Sequence, residues 1–232
     1  MAESHAPQSV TASDEDVICI IERGKHGKEE RQRALMEAAR GVFAEHGYDA
    51  ATTREVAERA GCSEGLIHRY FQGKRGLLLA ILDHDSDEFA GRMASEMPET
   101  DSLQDDLDQI FLWPLQAMWD KRDFMRVSVS RSAVDPEIGH VIGHHLNSKR
   151  VDLIAAKLRR HQQAGRVRAD VDCESIAYAI TGINLAAGFF CQAVFEIDRD
   201  DVRRMTEETA RVIARGIAAG VRTEVGSERS EG

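Results

Sequence analysis

After residue 25, apolar side chains recur along the chain at the spacing of one helix face. Leu35, Ala38, Ala39, Val42 and Phe43 follow the i, i+3, i+4, i+7, i+8 pattern of an amphipathic helix. No stretch alternates between apolar and polar residues in the manner of a half-buried strand. The pattern therefore predicts an all-α fold.

Turn-forming residues divide this pattern into about nine helices. Gly47 ends the first helix, Gly61 ends the second, and Asp135-Pro136 and Gly165 separate later ones. Beyond the first helix, we predict helices at 53–60, at 64–70, from Lys74 to before Pro98, and at 103–120, 123–133, 136–164, 173–195 and 200–221.

The segment 52–71 has the pattern of a helix-turn-helix. Thr52 and Glu55 have the spacing of a capping box, Gly61 allows the positive φ of a tight turn, and Ser63 suits the N-cap of the next helix. Ile67 and Phe71, four residues apart, face inward. The side chains that this leaves outward or at the flank are Glu64, Gly65, His68, Arg69 and Tyr70. Such a helix suits the major groove of DNA.

Charge is divided unevenly along the chain. The formal net charge is −10, yet residues 25–76 carry +2 and the remaining residues carry −12. An acidic total would argue against nucleic acid as a partner, but this distribution confines DNA contact to the basic segment.

The segment resembles the DNA-binding domain of the TetR family of transcriptional regulators. The matching positions are Phe43, Gly47, Tyr48, Thr52, Thr53, Val56, Ala57, Ala60, Gly61, Ser63, Gly65, Ile67, Tyr70, Phe71, Lys74, Leu77 and Leu78. Three positions depart from the family pattern: His68 stands where Tyr is usual, and Gly73 and Gly76 stand where Ser and Glu are common. The resemblance implies a ligand-responsive regulator, most simply a repressor that binds a palindromic operator as a homodimer and is released by a small molecule.

The resemblance also implies roles for individual residues. The candidate DNA contacts are Thr53, Arg54, Ser63, Glu64, Gly65, His68, Arg69, Tyr70 and Lys74, with Tyr70 and Lys74 as phosphate clamps. Lys25, Lys28 and Arg31 are further candidates for backbone contacts.

The C-terminal part has a concentration of aromatic and sulfur-containing side chains, which line either an effector cavity or an ordinary core. Thr181 and Asn184 are polar groups in a nearly all-apolar helix and need partners if they are buried. The candidate effector-binding residues are Phe111, Trp113, Met118, Trp119, Phe124, Met125, His144, Thr181 and Asn184.

The helices near 173–195 and 200–221 are expected to form the homodimer, as in the family. Ala186, Ala187 and Gly188 are expected to allow close helix approach there.

Two other functions remain open. His140 and His144 lie four residues apart near Asp135, which is compatible with a small all-α metalloenzyme. An architectural DNA-binding protein without a ligand is the other alternative, and a core without a cavity would favour it. We expect no metal and no cofactor, since none of the common nucleotide-binding or catalytic motifs is present.

The expected organisation is a mobile extension at 1–24, a three-helix DNA-binding domain at 25–75, and a helical ligand-sensing and dimerisation domain at 76–232. Four widely spaced cysteines indicate reduced thiols. Neither a secretory signal nor an apolar run of membrane-spanning length is evident, so we expect a cytoplasmic protein without a membrane partner.

Overall fold

The computed structural model describes residues 14–220, with side chains described for 27–143 and 148–220. Over residues 14–220, ten α-helices and two π-helical segments form nine continuous rods, and the only strand-like feature is one β-bridge. The all-α prediction is confirmed. The helices are α1 (Asp14–Ala50), α2 (Thr53–Arg59), α3 (Glu64–Phe71), α4 (Lys74–Glu96), α5 (Leu103–Asp120), α6 (Arg122–Ser132), α7 (Pro136–His140), α8 (Asn147–Gln163), α9 (Cys173–Leu185) and α10 (Arg199–Ile217). The π-helical segments are π1 (Val141–Leu146), which joins α7 to α8, and π2 (Ala186–Val194), which continues α9.

The first helix ends its regular course at Gly47. Gly47 has φ 75° and ψ 167°, a conformation that favours glycine, so residues 48–50 turn away toward α2. Residues 14–24, predicted as part of an extension, belong to α1. Residues 1–13 lie outside the described part of the chain, and the mobility of the extension stays a prediction.

The helix-turn-helix head is formed by α1, α2, α3 and the first turns of α4. Its core runs as far as Leu82, beyond the boundary predicted at residue 75, so α4 belongs to both the head and the body. The fully buried side chains of this core include Leu35, Val42, Phe43, Ile67, Leu77, Leu78 and Ile81.

The helical body is built around α5, which packs against α8, α9, α10 and π2. Its core contains Ile110 and Phe111 of α5, Ile154 of α8 and Ile180 of α9, each at most 2% exposed. Full burial of such side chains contributes roughly 1.5–3 kcal/mol each. The last helix ends at Ile217, four residues before its predicted end, because Ala218 pairs with Val167 in the β-bridge.

A buried polar network fastens the start of α5 to the end of α8. Asp106 accepts hydrogen bonds from His161 Nε2 at 2.8 Å, from Arg160 at 2.7 Å and from the Thr100 amide at 3.0 Å. Arg166 Nε donates to His161 Nδ1 at 2.8 Å, so Nε2 carries the hydrogen that points to Asp106. Burial is the largest single influence and would raise the pKa of Asp106, but the hydrogen bonds from His161 and Thr100 and the charge of Lys157 together hold that pKa below its ordinary value.

The helix α6 joins the body to the head. Phe124 and Ile138 of the body lie in the core of the head, where α6 packs against α1. Arg131 of α6 donates to Asp49 at 3.1 Å and stacks on the Tyr48 ring at 4.8 Å. A displacement of α6 would therefore change the contacts of Arg131 with Tyr48 and Asp49 at the end of α1.

The segment Cys173–Val194 requires a correction to the membrane prediction. It has the length and the mean hydropathy (1.4) to cross a membrane, although half of this window is buried within the protein. Core helices of soluble proteins meet the same criterion, because a helix that packs on several sides is apolar nearly all round. The described residues thus contain one apolar segment of spanning length, where the sequence pattern predicted none.

Candidate nucleic-acid interface and effector cavity

The turn between α2 and α3 has the predicted form with two differences. Gly61 has φ 63°, and the Thr52 hydroxyl accepts from the Glu55 amide at 3.1 Å. However, the Glu55 carboxylate pairs with His46 at 2.8 Å, so only half of the capping box is present. Ser63 occupies the N-cap of α3 without a capping hydrogen bond from its side chain, and its hydroxyl is exposed.

The two faces of α3 separate as predicted. Ile67 and Phe71 are buried, and Tyr70 lies half-buried at the flank, with Lys28 Nζ 5.8 Å from the centre of its ring. A Cβ on Gly65 would meet nothing within 4 Å, so the backbone there is open to close approach by a partner. The exposed residues of this surface are Ser63, Glu64, Gly65, His68 and Arg69.

The starts of α2 and α3 are linked to each other. Thr53 Oγ1 donates to Glu64 Oε1 at 2.6 Å, so the carboxylate suggested for base recognition is held by the hydroxyl suggested for phosphate contact. Arg54 pairs with Glu58 at 2.9 Å, and this hydrogen bond raises the pKa of Arg54. The DNA roles of Thr53, Arg54 and Glu64 require that a phosphate or a base compete with these exposed contacts.

Lys74 has a different environment from the one that the phosphate prediction requires. Its ammonium donates to the carbonyls of Tyr48, Asp49 and Ala51 at 2.8, 3.1 and 3.0 Å, and lies 4.6 Å from the centre of the Tyr48 ring. Since an ammonium has three donors, all of them are used. Lys74 thus links α4 to the residues that end α1, and a phosphate would have to compete with these carbonyls, so the phosphate clamp stays a prediction.

Gly76, one of the departures from the family pattern, has a steric reason. A Cβ at this position would lie 1.7 Å from the Phe71 carbonyl oxygen. The first turn of α4 therefore passes so close to the end of α3 that only glycine fits. Lys25, another sequence candidate, has a side chain outside the described residues.

A cavity of about 200 Å³ lies in the body beside the head. Met118, Phe124 and Met125, three of the predicted effector residues, line it. Its wall also includes residues that sequence reasoning did not single out. These are Leu82, Asp85, Ser86, Phe89, Ala117, Lys121, Ser128, Val129, Ser132, Ile142, Arg150, Leu185 and Phe190.

The other predicted effector residues lie elsewhere. Phe111 is a core residue with no exposed surface, and its burial in the body accounts for it without a ligand. Trp113 donates to Glu96 at 2.8 Å, and the guanidinium carbons of Arg122 and Arg199 lie 4.5 and 4.8 Å from the centre of the Trp119 ring. Neither tryptophan lines the cavity.

Thr181 and Asn184 line a much smaller space of about 10 Å³ that shares Phe89, Met118 and Arg150 with the cavity. Thr181 donates to the Ala177 carbonyl at 2.8 Å, and Asn184 donates to the Ile110 carbonyl at 3.0 Å. The Thr181 hydroxyl and the Asn184 amide nitrogen therefore each have a partner within the protein, whereas Asn184 Oδ1 is buried without one among the described residues. The side chain of His144 lies outside the described residues.

The charged groups at the cavity differ in their partners. Asp85 pairs with Arg40 of α1 and with Lys121 at 3.0 Å, so its charge is balanced. Arg150 stacks on Phe89, with 3.9 Å from its guanidinium carbon to the ring centre, and forms no ion pair with any described residue. Its Nε and the hydroxyl of Ser86, which is 2% exposed, are buried without a hydrogen-bond partner in the described structure. Burial lowers the pKa of Arg150 to about 10, so it remains charged at neutral pH.

The geometry gives little support to a metal site. Asp135 caps α7 through the amides of Glu137 and Ile138 and pairs with Arg75 at 2.9 Å, so its carboxylate is already engaged. The carboxylates of Asp85 and Glu88 lie close to His84, but Lys121 Nζ is 3.0 and 2.6 Å from the two and occupies the position of a cation.

Known proteins share this sequence and this architecture. A family model described as "Bacterial regulatory proteins, tetR family" matches residues 35–81. The HTH-type transcriptional repressor AcnR of Corynebacterium efficiens is 32% identical over 144 residues, which cover 62% of this chain and 72% of that protein. AcnR of Corynebacterium diphtheriae is 29% identical over 190 residues, which cover 78% of this chain and 92% of that protein. A solved TetR-family transcriptional regulator from a Rhodococcus species matches with a TM-score of 0.68 and 25% identity, over 80% of this chain and 99% of that one.

These relatives are regulators of transcription and not enzymes, which removes the metalloenzyme alternative. The head supplies the family's helix-turn-helix, and the body supplies its all-helical partner domain. The chain belongs to the TetR family of bacterial transcriptional regulators.

Proposed function

We propose that the chain is an effector-controlled repressor that binds a palindromic operator as a homodimer and leaves it when a small molecule fills the cavity. One observation carries the link between effector and DNA. Leu82 of α4 and Phe124 of α6 line the cavity and also belong to the hydrophobic core of the head. A ligand that moves either side chain must repack the core that holds the recognition helix. This cavity also favours the proposal over an architectural protein without a ligand.

The DNA contacts are proposed for the exposed ends of α2 and α3. Two recognition helices would enter successive major grooves about 34–36 Å apart. Gel shift with the DNA upstream of the chain's own gene tests this step, and the absence of binding to any promoter fragment at low salt would contradict it. Because that DNA is in the cytoplasm, we place the protein there.

Arg69 offers a sharper test of this surface. Arg69→Ala should weaken operator binding and, if the contact is to phosphate, lower the salt slope by about 1 per subunit. Arg168→Ala, which removes an exposed arginine from the body, is the matched control and should leave both quantities unchanged. Equal effects of the two variants would mean that only overall charge matters.

The dimer is proposed to form through α9, π2 and α10. Tyr178, Met205 and Val212 leave 53%, 47% and 57% of their surface exposed on these helices, an apolar area that a partner subunit would cover. The expectation for Ala187 and Gly188 is wrong, because both are buried within the subunit, where a Cβ on Gly188 would lie 2.6 Å from Met118 Sδ. The exposed small residues suited to close helix approach are Ala179, Gly182 and Ala186.

The oligomeric state tests this interface directly. Tyr178→Arg should shift the protein from dimer to monomer in sedimentation experiments, since it places a charge at the centre of an apolar interface. Val134→Arg, at an apolar residue that is 70% exposed between α6 and α7, should leave the dimer intact. A dimer that survives Tyr178→Arg would place the interface elsewhere.

A further inference from the structure

The cavity contains an uncompensated positive charge. Arg150 has no acidic partner among the described side chains, whereas Asp85 and Lys121, the other charged residues of the wall, balance each other through their ion pair. An isolated buried charge is costly, and proteins normally pair it or hydrogen-bond it. A guanidinium that is left with free donors in a cavity is suited to bind an anion.

A second polar group of the wall supports the same ligand. The Ser86 hydroxyl is buried, faces no protein partner in the described structure and lies in the same cavity wall. A buried hydroxyl without a partner is also unfavourable. A ligand with two oxygen atoms could accept hydrogen bonds from both Arg150 and Ser86.

The rest of the wall limits the size and character of the ligand. Leu82, Met118, Phe124, Met125 and Phe190 present apolar surface, which favours an apolar body. The volume of about 200 Å³ exceeds the ~150 Å³ that accommodates benzene and is below the ~300–1000 Å³ of pockets for drug-sized ligands. One ring or a short acyl chain would fill it.

The charge balance selects the kind of anion. The described charged residues of the wall, Asp85, Lys121 and Arg150, sum to one positive charge. A carboxylate brings one negative charge, whereas a phosphate monoester brings about 1.5–2 at neutral pH. On the basis of the proposed effector control, we infer that the effector is a small monocarboxylate with an apolar body, held by Arg150 and Ser86.

Binding to the purified full-length chain tests this inference. The probes are benzoate and octanoate, their neutral amides benzamide and octanamide, and phenyl phosphate. Calorimetry and thermal shift should show saturable binding of at least one carboxylate and binding on the order of 10- to 100-fold weaker for its amide. Binding of neither carboxylate, equal binding of acid and amide, or tighter binding of phenyl phosphate would overturn the assignment.

Variants test the residues. Arg150→Met should abolish the preference for the acid over the amide, while Ser86→Ala should weaken carboxylate binding by less. Arg150→Met should not lower the melting temperature of the ligand-free protein, because it removes an unpaired charge from the interior, and this measurement also establishes that the variant is folded. Lys149→Met removes the same charge at the adjacent position outside the cavity wall and is the matched control. Unchanged acid binding in folded Arg150→Met would contradict the inference.

Gel shifts with the bound carboxylate separate this inference from the proposed function. A carboxylate that binds through Arg150 without weakening operator binding would uphold the ligand class and contradict effector control. A neutral compound that fills the cavity and releases DNA would uphold effector control and contradict the ligand class.

Discussion

The body of the protein contains two charged centres, the buried Asp106 and the half-buried Arg150, that differ in the partners that the chain supplies. Around Asp106, His161, Arg160 and the Thr100 amide satisfy the carboxylate within the chain. Around Arg150, the protein supplies one aromatic ring and no described carboxylate. The Asp106 carboxylate has its partners within the chain, whereas Arg150 is the group at which we infer that an anion binds. A buried carboxylate with partners inside the chain stabilises the fold, whereas an unpaired guanidinium in a cavity wall is the site that we propose for a ligand.

The largest loss of unfolding free energy is expected from removing the charge of Asp106. Asp106→Asn removes the charge but leaves the buried Lys157 and the partly buried Arg160 without a carboxylate, which should cost about 3 kcal/mol of unfolding free energy. The melting temperature should fall on the order of 10 °C. Asp105→Asn, at an exposed position of the same helix turn, is the control and should have little effect. An unchanged melting temperature for Asp106→Asn would contradict the stabilising role of Asp106.

Acidification should weaken the same centre. Because the pKa of folded Asp106 is below its ordinary value, the stabilisation is fully present above the unfolded pKa of about 3.9 and is lost as the pH falls through the folded pKa. The difference in unfolding free energy between the natural chain and Asp106→Asn should therefore be constant above about pH 5 and shrink below about pH 4. Denaturant titrations across this range measure it, and a difference that grows on acidification would have the wrong sign.

A smaller loss of unfolding free energy is expected when Lys74 is replaced, the lysine of the head whose ammonium donates to three carbonyls. Lys74→Met deletes three hydrogen bonds to carbonyls, which should lower the unfolding free energy by about 2 kcal/mol because the site is partly solvated. Lys28→Met, at an exposed lysine of α1, should leave thermal unfolding unchanged. If Lys74→Met retained full stability and instead lowered the salt slope of operator binding by about 1, the phosphate role would be supported.

The smallest changes in unfolding free energy are expected for two serines of the cavity wall, Ser128 and Ser86. Ser128 donates to the Met125 carbonyl at 3.3 Å, whereas Ser86 is buried without a described partner. Ser128→Ala should cost up to about 1 kcal/mol, and Ser86→Ala should be neutral or slightly stabilising. Thermal unfolding of the ligand-free variants measures both. The reverse order would mean that the protein itself satisfies Ser86.

The head was predictable from sequence where local rules decide the structure. The turn at Gly61, the end of α1 at Gly47 and the inward Ile67 and Phe71 all follow from backbone preference and helical spacing. The second half of the capping box failed because the His46 imidazole, which lies in α1 and outside the capping-box pattern, contacts the Glu55 carboxylate at 2.8 Å. The carbonyl partners of Lys74 also escaped local rules, because they lie 23 to 26 residues earlier in the chain.

The cavity was only partly predictable. The aromatic and sulfur side chains indicated its region through Met118, Phe124 and Met125, but the same signal selected the core residue Phe111. Composition does not tell which side of α5 faces a cavity and which side faces a core. Arg150 stands in an ordinary polar stretch, and only the folded chain places it on Phe89, 61 residues away in sequence. The absence of an acidic partner for Arg150 depends on which side chains the fold brings near it, so no pattern in the neighbouring sequence predicts it.

The dual position of Leu82 and Phe124 has a consequence for redesigning this regulator as a biosensor. Substitutions at either residue would alter ligand selectivity and operator affinity together, because each side chain serves the cavity and the head at once. Met125, Val129 and Phe190 line the cavity without belonging to the core of the head. Under the proposed effector control, a library restricted to these three positions should change which compounds bind with less effect on operator binding than substitutions at Leu82 or Phe124.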